Sequence, residues 1–325
     1  LENGSVTKLT EPNLNSNIGS VINWFSDSEN MLVKMISNNR RPLIDTNKIV
    51  PDGPTISTNF GEKAQNRTYQ DLLKNKFDEH NFEQLSTSTI YKVSIDGSVK
   101  KWMDDGMYRT ISFSPNGEYV MISQINKPFS YLVTYSRFPT ETNIYNKDGD
   151  FVSNLQKVPL IEELPKGFMS VRTGKRSFSW RPDKGASLTY VTALDSGDPS
   201  KKVDFRDEVY ELNYPFSGKG KFILKTINRF SGIDWGTKDM AIAYDTWWNT
   251  RNRKSYVFNP SNPNIKPKII SDRNYQDTYS DPGNFLRSRN EFNRSVLKMH
   301  YGNIFLRGQG FSPSGQFPFI DKVNT

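Results

Sequence analysis

The sequence contains no cysteine, and only two of its 325 residues are histidines. Without thiols the chain can form no disulfide bond, no thiolate zinc site and no cysteine nucleophile. His80 and His300 are far apart in the sequence, and neither has a partner at the short spacing of a zinc motif. The sequence therefore predicts neither a bound metal nor a catalytic histidine.

Motifs that mark hydrolases and phosphate-binding proteins are also missing. A serine hydrolase of the α/β type requires Gly-x-Ser-x-Gly, followed along the chain by an acidic residue and then by histidine. The nearest approach, GFSPSG at 310–315, has Ser314 in place of the second glycine and no histidine after it. Gly218 and Gly220 lack the continuation of a phosphate-binding loop, and DSGD at 195–198 fits a turn better than a calcium loop. We therefore expect no catalytic residues, no metal and no cofactor in this chain.

Long apolar runs and blocks of like charge are absent as well. No apolar run approaches the roughly 18 residues that suggest a transmembrane helix, and residues 1–25 lack the pattern of a signal peptide. The 43 basic residues are interspersed with 35 acidic ones, so the formal charge of +8 is not concentrated in any run. Nucleic-acid binding requires basic residues clustered on one face or stripe. We therefore predict no membrane span and no nucleic-acid partner.

What the chain does contain is short apolar segments separated by turn residues. Aromatic residues make up 13% of the sequence, and 21 glycines and 18 prolines punctuate runs rich in Val, Ile, Tyr and Phe. This pattern is typical of many short strands. Six segments fit a hairpin with a polar turn: 22–36, 89–103, 111–125, 142–155, 177–194 and 232–248. In the third of them, Pro115 and Gly117 suit a chain reversal that places Phe113 and Val120 on one core.

Two successive hairpins make a four-stranded antiparallel blade, so the repeated plan predicts an all-β chain of the β-propeller class. The hairpin anchors recur at intervals longer than the roughly 40 to 50 residues of a minimal blade, which implies insertions between blades. They are Trp24, Phe113, Trp180 and Trp235. Residues 1–325 supply about five blades at this spacing, with two further strands from Asn303 to Val323. We expect an incomplete ring that ends in half a blade.

The plainest insertion covers residues 51–87. Within it Tyr69, Leu72, Leu73 and Phe77 have helical spacing, which predicts a loop carrying one short helix. An apolar stripe of this kind is usually packing, so the helix caps the propeller. The alternative is that it overhangs a substrate entrance.

Several arginines lie beside aromatic residues: Arg137 in SYLVTYSRFPTE, Arg172 and Arg176 in VRTGKRSFSW, and Arg251 and Arg253 in WWNTRNRKSY. A guanidinium group holds a carboxylate through two parallel charge-assisted hydrogen bonds. Any of these arginines could therefore recognise an acidic substrate. The alternative for each is an ordinary ion pair at the surface or between blades.

Seven segments together resemble the chloroplast glutamyl endopeptidases and their bacterial relatives, a branch of the prolyl oligopeptidase family of serine peptidases. The segments are residues 67–78, 130–141, 171–184, 194–210, 229–236, 246–260 and 272–283. Their order and spacing also look alike, so the resemblance extends from about residue 20 to residue 322.

The resemblance implies that residues 1–325 are the propeller portion of a two-domain serine endopeptidase that cuts after Glu. In that family the propeller precedes an α/β-hydrolase domain and restricts which peptides reach it. This chain lacks that domain and the triad, so we expect it to orient peptide substrates for a catalytic partner domain. The alternative is a stand-alone propeller that binds a protein or peptide without catalysis.

The acid selectivity of the resembled family implies basic residues near the substrate. The expected substrate-binding residues are Arg67, Tyr69, Arg137, Arg172 and Arg176. Because the chain begins at Leu1 instead of Met and resembles exported bacterial peptidases, we also expect a periplasmic or secreted protein.

Overall fold

The computed structural model of the chain describes residues 4, 6–45, 48 and 69–324. The chain divides into two compact units, Leu1–Glu163 and Leu164–Thr325. Both units consist mainly of antiparallel strands joined in sequence order. In the part of the chain that the structure describes, no helix has the length and apolar character needed to cross a membrane.

The first unit contains two four-stranded blades that share one long strand. Its strands are β1 (Ile22–Trp24), β2 (Asn30–Ile36), β3 (Ser88–Ser94), β4 (Val99–Phe113), β5 (Tyr119–Ile125), β6 (Thr140–Asn146) and β7 (Phe151–Val158). The first part of β4, up to Gly106, pairs with β3, and the remainder from Met107 pairs with β5. Blade 1 therefore comprises β1 to the first part of β4, and blade 2 comprises the rest of β4 to β7.

The second unit contains two separate four-stranded blades and a smaller terminal sheet. Blade 3 is formed by β8 (Arg176–Trp180), β9 (Ser187–Ala193), β10 (Asp207–Asn213) and β11 (Lys221–Thr226). Blade 4 is formed by β12 (Arg229–Thr237), β13 (Met240–Trp247), β14 (Asn252–Phe258) and β15 (Lys268–Asn274).

The terminal sheet and its hairpins follow blade 4. The strands are β16 (Asn284–Phe285), β17 (Arg287–Arg289), β18 (Ser295–Leu297), β19 (Met299–His300), β20 (Asn303–Gly308), β21 (Phe311–Ser312), β22 (Gly315–Gln316) and β23 (Phe319–Asn324). The two strands expected near the end of the sequence correspond to β20 and β23, which pair with each other. The strand β20 also pairs with β16 and β19, so this hairpin has partners that precede it. That the ring is incomplete in this chain stays a prediction.

The all-β class, the four-stranded antiparallel blades and all six predicted hairpins are confirmed. The hairpins are predictable from the sequence because their turns contain residues that suit a chain reversal. Gly117 has a φ of 75°, a left-handed conformation that glycine adopts without strain. Phe113 and Val120 on either side of that turn belong to one buried cluster, as expected.

Apolar faces of successive blades pack against each other within each unit. In the first unit Leu32 and Ile90 of blade 1 share a buried cluster with Ile122 of blade 2. In the second unit Val209 of blade 3 and Ala241 of blade 4 belong to one cluster and are 0% exposed. Each fully buried aliphatic side chain contributes roughly 1.5–3 kcal/mol. The blades are therefore held by their neighbours, as in other repeat folds.

Among the described residues of the insertion there is one helix, α1 (Lys76–Ser86), which begins later than the apolar spacing predicts. Asn75 caps it, because its side chain accepts hydrogen bonds from the backbone N–H groups of Phe77 and Asp78, both at 2.9 Å. Tyr69, Leu72 and Leu73 precede the helix, so their helical spacing was misleading. Residues 51–68 of the insertion lie outside the described part of the chain.

The apolar residues of the insertion pack against blade 2. Tyr69, Leu73 and Phe82 contact a buried cluster that includes Phe129 and Phe138. The Phe82 ring meets Phe129 and Phe138 edge-on, at centroid distances of 5.1 and 5.7 Å. These contacts support the expectation that the helix is a packed element.

Connections differ in length between the two ends of the blades. Those between the second and third strands of blades 1, 2 and 3 cover residues 37–87, 126–139 and 194–206. Connections at the opposite end are short, for example residues 25–29 and 95–98. We call the end with the long connections the loop-bearing end. Binding residues commonly lie on loops that a rigid scaffold positions, so this end of each unit is the place to look for a site.

Candidate functional site

Tyr69 and Arg137 come together at the loop-bearing end of the first unit. Arg137 closes a short 3-10 turn, Tyr135–Arg137, in the connection between β5 and β6. Its guanidinium carbon lies 5.5 Å from the centroid of the Tyr69 ring, within cation–π range. The buried hydroxyl of Tyr69 makes no hydrogen bond within the described residues. Arg67, the remaining expected residue of this region, lies outside the described residues.

Arg172 and Arg176 come together at the loop-bearing end of blade 3, in the second unit. Arg172 lies in the segment that leads into β8, and its guanidinium donates hydrogen bonds to the backbone oxygens of Thr173, at 3.0 Å, and Lys175. Burial, followed by the nearby charge of Arg176, lowers the pKa of Arg172. Two positive groups are thus held close together in a half-buried position.

Arg176 is the more enclosed of the two. Its side chain is 11% exposed, and one terminal nitrogen forms an ion pair with Asp207, which is fully buried. The Nε atom of Arg176 has no hydrogen-bond acceptor among the described residues. The guanidinium of Arg176 is therefore paired with Asp207, but its Nε–H group is left without a hydrogen bond among the described residues.

Asp207 belongs to a buried charge network that the sequence reading did not find. Besides Arg176, Asp207 pairs with Arg229, which is 3% exposed. Arg229 forms ion pairs with Asp207 at 3.2 Å and with Asp195 at 2.7 Å. Arg206 completes the network with an ion pair to Asp195 at 2.8 Å. Asp195 also accepts a hydrogen bond from the backbone of Gly197 at 2.9 Å, which confirms that 195–198 is a turn.

The network is unbalanced in charge. Three of its guanidinium groups pair with two carboxylates, and the fourth, that of Arg172, lies close enough to Arg176 for the charge of Arg176 to lower its pKa, so these six side chains carry a formal charge of +2. The members are Arg172, Arg176, Arg206, Arg229, Asp195 and Asp207. We call this set the basic cluster. Arginine keeps its charge even when buried, so the cluster favours a bound anion.

A second buried network at the opposite end of blade 3 provides a contrast. Arg181 is 1% exposed and forms ion pairs with Asp183 at 2.6 Å and Glu211 at 3.1 Å. Lys184 also contacts Glu211, at 2.5 Å. Here two cations face two carboxylates, and the Arg181 guanidinium stacks on Trp235 of blade 4 at 3.8 Å. This balanced network joins two blades and needs no further anion.

Aromatic side chains adjoin the basic cluster. Arg206 stacks over the Trp247 ring at 4.0 Å, and Arg251 stacks over Trp248 at 3.7 Å. Trp248 is 42% exposed, and its ring contacts Phe168, which is 69% exposed, at a centroid distance of 5.4 Å. Exposed aromatic rings next to arginines are typical of surfaces that bind peptides.

Among the substrate-binding residues expected from the sequence, the structure therefore brings Tyr69 close to Arg137, and Arg172 close to Arg176. The sequence analysis did not select four charged residues of the basic cluster that lie at or near strand ends. They are Asp195, Arg206, Asp207 and Arg229. The local sequence places Asp207 and Arg229 at the first positions of β10 and β12, and that placement is the signal it offers. Nothing in the sequence indicated that they share one network.

Comparison with known proteins reveals two related sequences, although no family model matches the chain. The chain is 39% identical over 286 residues to the probable chloroplastic glutamyl endopeptidase of Oryza sativa subsp. japonica, covering 85% of this chain and 30% of that protein. It is 33% identical over 315 residues to the probable chloroplastic glutamyl endopeptidase of Arabidopsis thaliana, covering 92% and 32%. The chain thus spans about a third of the length of these relatives.

Solved structures with a similar arrangement are more distant. The uncharacterized protein lmo1340 from Listeria monocytogenes EGD-e has a TM-score of 0.45 and 8% identity, covering 98% of this chain and 70% of that one. The β-propeller domain of the Trilobed protease from Pyrococcus furiosus has a TM-score of 0.40 and 10% identity, covering 94% and 70%.

Proposed function

Because the chain belongs to the glutamyl endopeptidase family, we propose that it is the propeller portion of a serine peptidase that cleaves after glutamate. The chain carries no Gly-x-Ser-x-Gly motif followed by an acidic residue and histidine. In this proposal an α/β-hydrolase domain of the same parent protein supplies the nucleophile. The propeller admits peptides and orients them for that domain.

The observation that carries the proposal is the surplus positive charge of the basic cluster. A glutamate side chain is a single negative charge at neutral pH, and a guanidinium can hold it through two hydrogen bonds. A carboxylate bound beside Arg172 would also offset the repulsion between Arg172 and Arg176. That repulsion is one cause of the lowered pKa of Arg172. Binding is thereby favoured for Glu over its neutral isostere Gln.

The other members of the cluster act as positioning residues in this proposal. Asp207 holds Arg176, and Arg229 bridges Asp207 and Asp195, so the guanidinium groups are fixed before a peptide arrives. Such preorganisation reduces the ordering that binding requires. Trp248 and Phe168 offer apolar surface to neighbouring peptide residues. Arg67, Tyr69 and Arg137 are proposed to line the peptide path in the first unit.

The test compares matched Glu and Gln fluorogenic peptides as substrates of the full-length protein that contains this chain. Arg172→Ala should lower kcat/KM for the Glu peptide about 10-fold or more relative to the Gln peptide, because a charge-assisted contact is lost. Arg289→Ala is the matched control, since Arg289 is an exposed arginine of β17 and lies outside the basic cluster. Equal losses for both peptides would rule out carboxylate recognition by Arg172.

The same peptides distinguish the proposal from binding without catalysis. If the full-length protein turns over neither peptide but binds the Glu peptide, the chain is a peptide-binding module. Turnover of the Glu peptide supports the peptidase.

We also propose that the parent protein works outside the cytoplasm, in the periplasm or beyond the cell. Support comes from the relatives, whose names place them in the chloroplast, a compartment reached by targeting. Cell fractionation tests this proposal, and a protein found only in the cytoplasm without a cleaved leader would contradict it.

A further inference from the structure

A polar cavity of about 550 Å³ lies between blade 4 and the terminal sheet, within the second unit. The charged residues that line it are Asp234, Arg253, Arg273, Asp281 and Arg287, and Tyr244 is one of its hydroxyl-bearing residues. None of these residues belongs to the basic cluster. The volume falls in the range of roughly 300 to 1,000 Å³ that is usual for small-ligand sites.

Two of the three arginines in this cavity are already paired. Arg287 donates a hydrogen bond to Asp234 at 2.5 Å, and the hydroxyl of Tyr244 donates to the other oxygen of Asp234 at 2.9 Å. Arg273 forms an ion pair with Asp281 at 2.9 Å. Both carboxylates of the cavity wall are therefore neutralised by their own arginines.

Arg253 is the arginine that remains. Its guanidinium carbon lies 5.2 Å from the centroid of the Tyr244 ring, and no carboxylate of the described residues is within ion-pair distance of it. The ring restricts the orientation of the guanidinium but neutralises none of its charge. The cavity thus carries one positive charge in excess, and that charge lies on Arg253.

We propose that this cavity binds a singly charged carboxylate, either the side chain of an acidic peptide residue or a peptide C-terminus, with Arg253 as its anchor. One carboxylate neutralises the excess charge and matches the two-pronged geometry of a guanidinium. A dianionic phosphate would leave a negative charge in excess, because the other two arginines are occupied. Apolar groups of Ile270, Phe285 and Leu306 also line the cavity and can receive the aliphatic part of the ligand.

This site is independent of the proposed function. Its anchor Arg253 lies on β14, a strand that contributes no residue to the basic cluster, and its argument uses no property of the related peptidases. A peptide bound here would be held by blade 4 and the terminal sheet.

The test measures binding of fluorescently labelled tripeptides to the 325-residue chain by anisotropy. The probes are an amidated peptide with a central Glu, the same peptide with Gln, a neutral peptide with a free C-terminal carboxylate, and an amidated phosphoserine peptide. The background variant Arg172→Ala removes the main contact of the basic cluster. In that background Arg253→Met should weaken the preferred carboxylate probe about 10- to 100-fold, as expected for loss of a charge-assisted pair.

Arg253 is exposed, so its substitution should leave folding intact, and a thermal melt checks this. Arg253→Lys keeps the charge without the planar fork and should recover only part of the affinity. Preference for the Glu probe identifies an acidic side chain as the ligand, and preference for the free terminus identifies a C-terminal carboxylate. The proposal is overturned if the Arg253→Met variant binds the carboxylate probes as tightly as the background variant does. It is also overturned if the Gln peptide binds as tightly as the Glu peptide while the peptide with a free C-terminus does not bind. A phosphoserine peptide that binds most tightly of the four probes would overturn it as well.

Discussion

No carboxylate among the described residues pairs with the buried Lys34, and replacing this lysine should remove a pH dependence of stability. It lies on β2, is 2% exposed, and its ammonium group donates to the backbone oxygens of Ile18 and, at 3.4 Å, of Tyr108. Burial lowers the pKa of Lys34 from 10.5 to about 8. The cause is the loss of water around the charged form, which two carbonyl groups replace only in part.

The size and sign of the effect follow from that shift. Because the pKa in the folded chain is below that in the unfolded chain, the folded chain binds fewer protons between these values, and the free energy of unfolding rises with pH there. Below about pH 8 the penalty is fully present and amounts to about 3 kcal/mol. Integration predicts that roughly 2 kcal/mol of this is recovered between pH 7 and pH 9.5.

The assay is urea unfolding of the wild type and Lys34→Met across that pH interval. Other groups titrate too, so the observable is the difference between the two proteins, which isolates Lys34. We expect the wild type to gain about 2 kcal/mol relative to the variant from pH 7 to 9.5. The absolute difference at one pH is less informative, because the variant leaves two carbonyl groups without a donor.

Lys100→Met is the matched control, because Lys100 is exposed at the start of β4. Its difference from the wild type should stay constant with pH. If the difference between the wild type and Lys34→Met is equally flat, the desolvation of Lys34 is refuted.

Three further predictions concern stability and are measured by urea unfolding. Asp207→Ala leaves two buried arginines short of a partner and should cost about 3–5 kcal/mol; a loss below 1 kcal/mol would contradict the role of Asp207 in the basic cluster. Gly117→Ala should destabilise more than Gly97→Ala, because both have positive φ but only at Gly117 would a Cβ meet Ser26, at 2.2 Å; equal losses would refute the steric argument. Asn75→Ala should cost about 1 kcal/mol through loss of the cap of α1, and no loss would show that the cap is dispensable.

The strands were predictable because turn residues and apolar runs lie close together in the sequence. The charge network was not predictable because its ion pairs join residues that are far apart in the sequence. Glycine at positive φ in the turn at Gly117 and the apolar runs beside it define a hairpin within fifteen residues, so the sequence contains all the information. Asp195, Asp207 and Arg229 instead meet because blades 3 and 4 pack side by side, and that registry cannot be read from residue spacing. The start of α1 was missed for a different reason. The apolar spacing begins at Tyr69, but the side chain of Asn75 caps the helix, so α1 begins only after Asn75.

Reversal of one charge tests most directly whether the basic cluster selects glutamate. In the full-length protein, Arg172→Glu should shift the ratio of kcat/KM for a Glu peptide over a matched Lys peptide by about 100-fold toward Lys, since it replaces an attraction with a repulsion. If both peptides instead lose activity by the same factor and the ratio is unchanged, the basic cluster does not recognise the substrate carboxylate.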